Sequence, residues 1–129
     1  MIQWTYENAL RCKVLTDVIV ATDSSDIADA ITQIGGKVAM THPDLPTGSE
    51  RVAAVAEHYP NMDIIINLQG DEPFIKPSML ETLVSPYLAG ETPEMTTLAF
   101  PLDKAKKYHE PGAVKVIFTP TQWSIIFTS

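Results

Sequence analysis

The sequence predicts an α/β fold in which a mostly parallel β-sheet is flanked by helices, with a β-hairpin near the C-terminal end. Three observations support this prediction. Short β-branched apolar runs alternate with amphipathic segments, and the connections between them are short. The run Ile64–Ile66 is apolar without alternation, as expected for a parallel strand covered on both faces. Two strand-like runs near the end flank a short turn containing Pro120, a pattern typical of an antiparallel pair.

The first half of the chain alternates between predicted helices and strands. Apolar residues at the spacing of one helical face predict a first helix from about Ile2 to Leu10. A second helix is predicted between the capping candidates that begin at Asp23 and the helix-ending pair Gly35-Gly36. A third helix opens at Ser49, after a loop rich in Pro and Gly. Two short strands separate these helices, at residues 17–21 and 38–40.

The second half contains the strongest strand signal, over residues 63–68, which ends in the polar segment Gln69–Pro73. A further helix is predicted from about residue 78 to 88 and a further strand from 95 to 100. The hairpin runs cover residues 114–118 and 123–127. Since no internal repeat or low-complexity segment interrupts the pattern, we expect one domain over residues 1–129.

Composition argues against several classes of function. Asp and Glu outnumber Lys and Arg by 16 to 9, so the net charge is −7, and the clustered cations that grip a nucleic-acid backbone are missing. Apolar runs fall far short of the ~20 residues that cross a bilayer, and a signal-peptide pattern is absent. We therefore expect a cytoplasmic protein that binds neither nucleic acid nor membranes. Cys12 is the only cysteine, and we expect it to be a packing residue.

Polar segments follow several predicted strands, at the edge where open α/β sheets bind their ligands. Asp23 follows the first strand, where capping of the next helix by Asp23 or Ser24 is favoured over a role in binding. Gly48, Ser49 and Arg51 place a glycine, a hydroxyl and a guanidinium at a helix start, which suits an anion or a base edge. A capped helix with a solvated arginine explains these residues equally well.

The segment Gln69–Pro73 is the most informative of these. Asp71 and Glu72 are adjacent carboxylates at the end of a buried strand and would repel each other unless a cation or basic group lay between them. Mg²⁺ commonly binds through one or two carboxylates plus substrate phosphates, so it suits this position. The alternative is a plain polar turn ending at Pro73, over which we favour a functional role. The three histidines are scattered and predict no metal triad.

Taken together, these segments resemble the 3-deoxy-manno-octulosonate cytidylyltransferase family, also called CMP-Kdo synthetases. The resemblance implies a Rossmann-like fold similar to the nucleotide-diphospho-sugar transferases. It also implies an Mg²⁺-dependent enzyme that transfers CMP from CTP to the sugar acid Kdo, releases pyrophosphate and serves lipopolysaccharide biosynthesis. The motifs occur in family order and spacing over nearly the whole chain: Val20–Asp23, Gly35–Thr41, Thr47–Arg51, Asn67–Pro73, Thr97–Ala99 and Ala113–Val116.

The resemblance implies roles for individual residues. Asp71 matches the family's metal-binding aspartate and is the expected catalytic residue. Gln69 matches a position that contacts the sugar acid. Arg51, with Gly48-Ser49 before it, matches the region that helps recognise the nucleotide, and Asp23 is expected near the pocket.

The sequence also departs from the family pattern. Family members begin with a strand and a Pro-Ala-Arg loop that holds the triphosphate, and Met1-Ile2 aligns with family positions that come after that loop. In the family's sheet that strand lies between the strands predicted at 17–21 and 63–68, so we expect these two to stay unpaired or to pair directly. Beyond Ser129 the family continues into a dimerisation region and a second metal-binding aspartate. His42 stands where many members carry an arginine.

These departures predict a partial cytidylyltransferase domain, truncated at both ends and inactive alone, whose full-length relatives are homodimers. Two alternatives stay open. The chain is a non-catalytic remnant or a module that binds a nucleotide or a sugar, or it belongs to a cytidylyltransferase for another sugar acid. Saturable CTP binding by the chain tests the first alternative, and the choice of sugar acid tests the second.

Overall fold

The structure, a computed structural model, describes residues 1–101, 115–118 and 125–128, and within the last two ranges only the side chain of Val116. Two compact units are present, Met1–Pro93 and Glu94–Ser129. The single domain expected over residues 1–129 stays a prediction. The described elements are α1 (Ile2–Leu10), β1 (Ile19–Thr22), α2 (Ser25–Gln33), β2 (Lys37–Met40), α3 (Gly48–Ala56), α4 (Pro77–Leu88), β3 (Lys115–Phe118) and β4 (Ile125–Thr128).

The helices form where the sequence predicts them, and local capping explains their ends. The Ser24 side chain accepts a hydrogen bond from the Ile27 N–H and starts α2. After α2 the chain turns at Gly35, whose φ of 76° is left-handed and suits glycine. Thr47 caps α3 by accepting from the Glu50 N–H. The helix predicted from about residue 78 begins one residue earlier, at Pro77.

Strands β1 and β2 form where strands are predicted at residues 17–21 and 38–40, and they pair in parallel, as expected for a mostly parallel sheet. Their register runs from Ile19 opposite Lys37 to Thr22 opposite Met40. One more backbone bond, from the Thr41 N–H to the Thr22 carbonyl at 2.9 Å, continues the pairing past the end of β2. The residues that follow both strands therefore lie at the same edge of the sheet.

The prediction of a strand over residues 63–68 is wrong for this structure, because these residues join no β-ladder. Ile66 and Leu68 pack against the core, while Ile64 and Ile65 are 37% and 48% exposed. A cavity of about 600 Å³, lined mostly by apolar side chains, lies between this segment and residues 14–21. A strand needs a hydrogen-bonded neighbour, and here the neighbouring position is a cavity. Of the two expected outcomes, direct pairing is therefore excluded: β1 pairs with β2, and its other edge and the segment 63–68 have no ladder partner among the described residues.

The strand predicted over residues 95–100 is also wrong. These residues have no strand conformation, and Met95 and Phe100 are 68% and 69% exposed. A β-branched and apolar run favours a strand only where a ladder partner is present, and none of the described residues forms a ladder with this run.

The predicted hairpin is confirmed in the second unit. β3 and β4 pair antiparallel, from Lys115 opposite Thr128 to Phe118 opposite Ile125. The predicted turn at residues 119–122 lies outside the described residues. Residues 114, 123 and 124, which the prediction includes in these strands, also lie outside the described residues.

The core of the first unit consists of two clusters, and half-buried Val18 packs against both. One cluster joins α1 to α4 and includes Cys12, which is 3% exposed and confirms its prediction as a packing residue. The other joins α1, β1 and α2. Their buried members are Ala9, Cys12, Ile75 and Leu80 in the first cluster, and Tyr6, Val20 and Ile31 in the second. Within the described residues, no helix has the length and apolar character needed to cross a membrane.

Candidate functional site

The candidate site begins at the carboxyl edge of the β1–β2 pair, where Asp23 follows β1. Ser24 caps α2, so the Asp23 carboxylate is free for another contact. It accepts a hydrogen bond from Arg51 Nη2 at 2.7 Å, from a residue 28 positions later in the chain. The predicted cap of α2 is therefore confirmed at Ser24 and not at Asp23. Asp23 instead contacts Arg51, so the structure brings two predicted site residues together.

Arg51 is held by acceptors from three segments of the chain. Its Nη1 donates to Thr41 Oγ1 at 2.7 Å and to the His42 carbonyl at 3.2 Å. Its Nη2 donates to Asp23 and to the Leu45 carbonyl, the latter at 3.3 Å. The side chain is only 17% exposed, so the alternative of a solvated arginine is wrong. The guanidinium joins the end of β1, the end of β2 and the loop that follows β2.

An N-cap at Thr47 starts α3 and sets where Arg51 lies. Thr47 Oγ1 accepts from the Glu50 N–H at 3.2 Å and donates to Glu50 Oε2 at 2.6 Å. The Arg51 N–H in turn donates to the Thr47 carbonyl at 3.2 Å. Because the cap fixes the first turn of α3, Arg51 extends from a defined point of that turn towards β1.

A second polar group links the first turn of α3 to the end of the segment 63–68. Asn67 Nδ2 donates to Ser49 Oγ at 2.9 Å, and Gln69 Nε2 donates to Asn67 Oδ1 at 3.0 Å. A Cβ added at Gly48 would lie 3.1 Å from Gln69 Oε1, so a glycine there lets the amide approach the helix closely. The predicted residues Gly48, Ser49 and Gln69 therefore lie together.

Asn67 is a site residue that the sequence patterns did not single out. The available signal was its spacing from Gln69, because residues two apart on an extended segment point to the same face. The hydrogen bonds orient the Gln69 amide. Since Asn67 uses its N–H to reach Ser49, its carbonyl oxygen is the group that accepts from Gln69.

Helix α1 supports the turn that contains Asp71. Thr5 Oγ1 donates to the Gly70 carbonyl at 3.0 Å, and Asn8 Nδ2 donates to the Pro73 carbonyl at 2.9 Å. A Cβ at Gly70 would lie 2.5 Å from Ile2 Cδ1, so this glycine makes room for α1. No sequence signal points to Thr5 or Asn8, because each contacts a residue 65 positions away.

Asp71 and Glu72 are exposed at this turn. In the part of the chain that the structure describes, no three His, Cys, Asp or Glu side chains are grouped so that they could hold a metal ion. Mg²⁺ needs only one or two protein carboxylates when substrate phosphates supply other ligands. The Asp71 carboxylate therefore fits a metal ion shared with a phosphorylated substrate, and it does not fit a metal centre built from these protein groups alone.

The chain matches known cytidylyltransferases. The family model described as cytidylyltransferase matches residues 1–128. The 3-deoxy-manno-octulosonate cytidylyltransferase of Acaryochloris marina is 54% identical over 117 residues, which cover 91% of this chain and 48% of that relative. The enzyme of the same name from Vibrio campbellii is 42% identical over 130 residues, covering 99% and 51%. The chain thus spans about half the length of the curated relatives it matches.

A solved structure is similar as well. It is CMP:2-keto-3-deoxy-manno-octonic acid synthetase complexed with CTP, at a TM-score of 0.64 and 42% sequence identity. The similarity covers 68% of this chain and 36% of that chain. Together with the curated relatives, it confirms the resemblance seen in the sequence motifs and the predicted α/β class.

Proposed function

Since this chain belongs to the cytidylyltransferase family, we propose that it forms part of the active site of an enzyme that transfers CMP from CTP to Kdo. One observation supports this most. The motif residues Asp23, Gly48, Ser49, Arg51 and Gln69, distant in sequence, are joined through the first turn of α3. The relatives that this chain matches are named 3-deoxy-manno-octulosonate cytidylyltransferases, after this reaction.

In the proposed reaction the anomeric hydroxyl of Kdo attacks the α-phosphorus of CTP. A new P–O bond forms, the bond to pyrophosphate breaks, and the hydroxyl proton passes to water. Reactions of this kind are catalysed mainly by positioning and by neutralising charge on the phosphates. Gln69 orients the sugar acid through its amide, and the start of α3 at Gly48-Ser49 presents backbone N–H groups to the nucleotide.

Asp71 is the proposed metal-binding and catalytic residue. Nucleotidyltransferases generally use a divalent metal ion, and we propose Mg²⁺, which neutralises phosphate charge when bound. The exposed carboxylate lies on a turn that Thr5 and Asn8 tie to α1. These hydrogen bonds hold the Asp71 backbone in place, which favours a defined metal position.

The proposal extends to the wider setting of the reaction. CTP is a cytoplasmic substrate, so the proposed reaction takes place in the cytoplasm, and its product serves lipopolysaccharide biosynthesis. As the resemblance implies, the active form is a homodimer.

The active enzyme also needs a strand in the cavity between residues 14–21 and the segment 63–68. The cavity of about 600 Å³ is lined mainly by apolar side chains, with the free edge of β1 on one side and the unpaired segment 63–68 on the other. A strand there would pair with β1 and would cover Ile64 and Ile65. In the family this strand leads into the triphosphate loop. We therefore propose that the 129-residue chain alone has no synthetase activity.

A chimera tests the proposed function. The chain is extended with the flanking segments of the Acaryochloris marina relative, which is 54% identical over the shared part. We expect CMP-Kdo to form from CTP, Kdo and Mg²⁺ in the chimera and not with the chain alone. A chimera that uses another sugar acid but not Kdo would overturn the assignment of Kdo as the substrate. Saturable CTP binding by the chain, with an inert chimera, would favour the binding module instead.

A further inference from the structure

We propose that Arg51 is a positioning residue that acts through the loop of residues 42–47, which we call the β2–α3 loop. Arg51, Asp23 and Thr41 form a clamp that holds this loop against the carboxyl end of β1. The consequence for CTP rests on the proposed function: the clamp sets the geometry of the loop that leads to Gly48-Ser49. In this role the terminal nitrogens of Arg51 make no direct contact with the nucleotide.

The hydrogen bonds of the guanidinium support this role. An arginine has two N–H groups on each terminal nitrogen. In Arg51 both terminal nitrogens make two hydrogen bonds within the protein, at 2.7 and 3.2 Å from Nη1 and at 2.7 and 3.3 Å from Nη2. A nucleotide contact through either nitrogen would require one of these bonds to break. The geometry is that of a group whose terminal donors are already used.

The β2–α3 loop depends on these contacts because it has few backbone hydrogen bonds of its own. Pro43 and Pro46 have no N–H to donate. Within the loop the Asp44 N–H donates to His42 Nδ1 and the Leu45 N–H to the His42 carbonyl, both at 3.3 Å. Arg51 adds bonds to the carbonyls of His42 and Leu45, near the two ends of the turn.

The burial of the Arg51 side chain supports a stable clamp. Asp23 and Arg51 are 35% and 17% exposed, and the short Arg51–Thr41 bond is partly buried. The bonds to Asp23 and to the His42 carbonyl are exposed, whereas those to Thr41 and to the Leu45 carbonyl are partly buried. Hydrogen bonds from a mostly buried charged donor to partly buried acceptors are stronger than an exposed ion pair, because water competes less well for them. The clamp therefore stabilises the structure more than a surface salt bridge with the same N–O distance does.

Hydrogen exchange on the 129-residue chain tests the clamp without any ligand. Thr41→Val keeps the side-chain shape and removes the hydroxyl that accepts from Arg51, whereas Thr41→Ser keeps the hydroxyl. We expect the amides of residues 44–51 to exchange at least about tenfold faster in Thr41→Val and in Asp23→Asn. Thr41→Ser should restore the slow exchange. Lys37→Met is the matched control, since it removes another 2.7 Å ion pair that lies at the other end of β1 and β2.

Three results of the exchange measurement bear on the clamp. Unchanged exchange of the loop in both Thr41→Val and Asp23→Asn would overturn the clamp. Equal acceleration of α2 and the loop would mean general unfolding, and would also count against it. If Asp23→Asn fails to fold, the comparison of Thr41→Val with Thr41→Ser decides alone.

Kinetics of the chimera separate the clamp from a direct contact. The clamp predicts that Thr41→Val raises the KM for CTP by about tenfold, with a smaller change in kcat, and that Thr41→Ser restores the KM. A direct contact predicts that Arg51→Lys raises the KM while loop exchange stays unchanged, which would overturn the clamp. An inactive chimera would count against the proposed function alone, because the exchange measurement needs neither CTP nor turnover.

Discussion

The two ends of the β1–β2 pair each have an ion pair with a 2.7 Å N–O distance, but the surroundings differ. At the amino end Lys37 bonds Asp17, and the lysine side chain is 65% exposed. At the carboxyl end Arg51 bonds Asp23, with an arginine that is 17% exposed and reaches three further acceptors. Distance alone therefore says little about the role of an ion pair, and burial and the number of partners say more.

Packing, by contrast, stabilises the amino end of the β1–β2 pair. The Tyr6 hydroxyl accepts from the Lys37 N–H at 3.2 Å, and the Tyr6 ring lies beside Gly36 and buried Ile31. The carboxyl end is polar and includes the residues of the candidate site. This division follows a general rule for parallel sheets, in which the carboxyl edge binds ligands and the rest of the fold supplies stability.

The largest expected effect is the loss of activity when the Asp71 carboxylate is removed. In the chimera, Asp71→Ala should lower CMP-Kdo formation by at least about a thousandfold, because a metal ion contributes several kcal/mol of charge stabilisation. The measurement is steady-state turnover at saturating Mg²⁺. Asp17→Asn, at the amino end, is the control and should keep full activity. An active Asp71→Ala variant would show that the metal is held elsewhere.

The second-largest expected effect is a loss of stability when the packing at the amino end of the β1–β2 pair is changed. Gly36→Ala would place a Cβ 2.5 Å from Ile31 Cγ2, 2.9 Å from the Ile31 carbonyl and 3.0 Å from Tyr6 Cε1. We expect it to lower the free energy of unfolding by about 3 kcal/mol, because the backbone carbonyl cannot move aside easily. Urea denaturation followed by circular dichroism measures this value. Gly35→Asn is the matched control, since space there is open and Asn tolerates the left-handed φ of 76°.

Removal of the guanidinium at the carboxyl end should have a smaller effect on stability. Arg51→Leu breaks four hydrogen bonds and leaves Asp23 partly exposed to water, which can replace the lost partner. We expect a loss of about 1–2 kcal/mol in the free energy of unfolding. Urea titrations of the variant and the wild type at the same pH give the difference. If Lys37→Leu costs as much as Arg51→Leu, the contrast between the two ends fails.

The smallest effect is the pH dependence of the exposed pair. The hydrogen bond from Lys37 lowers the pKa of Asp17 below its ordinary value of 3.8, and Asp17 raises the pKa of Lys37 above 10.5. Because the pKa of Asp17 is lower in the folded state, its contribution is present above the ordinary value and is lost as the pH falls through the lowered one. Lys37 contributes below its ordinary pKa, and this contribution is lost as the pH rises through the raised value.

A comparison of Lys37→Met with the wild type over pH measures this contribution. The wild type should be slightly more stable at about pH 7, and the difference should shrink as the pH falls through the lowered pKa of Asp17. A difference that grows towards acid pH would contradict the assigned direction of the Asp17 shift.

Much of the first unit was predictable because its signals are local. Ser24 and Thr47 cap the helices that they precede, and Gly35 ends α2 with a positive φ. These features involve residues a few positions apart, so short-range patterns are enough to locate them. The parallel pairing of β1 and β2 followed from two apolar runs joined by one helix.

The candidate site was predictable only in part. The motifs named the residues, and the spacing of strand ends indicated that they share one edge. The partners were not predictable, because the contacts between Arg51 and Asp23, between Thr5 and Gly70 and between Asn8 and Pro73 join residues that lie far apart in sequence. Short-range sequence patterns do not indicate contacts between residues that are so far apart in the chain.

In the segment 63–68 the local sequence pattern predicts a strand, and the three-dimensional structure has none. Its composition is that of a buried parallel strand, and Ile66 and Leu68 do pack against the core. A strand also requires a neighbour that completes its hydrogen bonds, and that position is a cavity here. The local sequence determined which side chains are apolar and where the helices begin. Contacts between distant segments decided whether a ladder forms and what the Arg51 guanidinium binds, because both depend on groups that folding alone brings together.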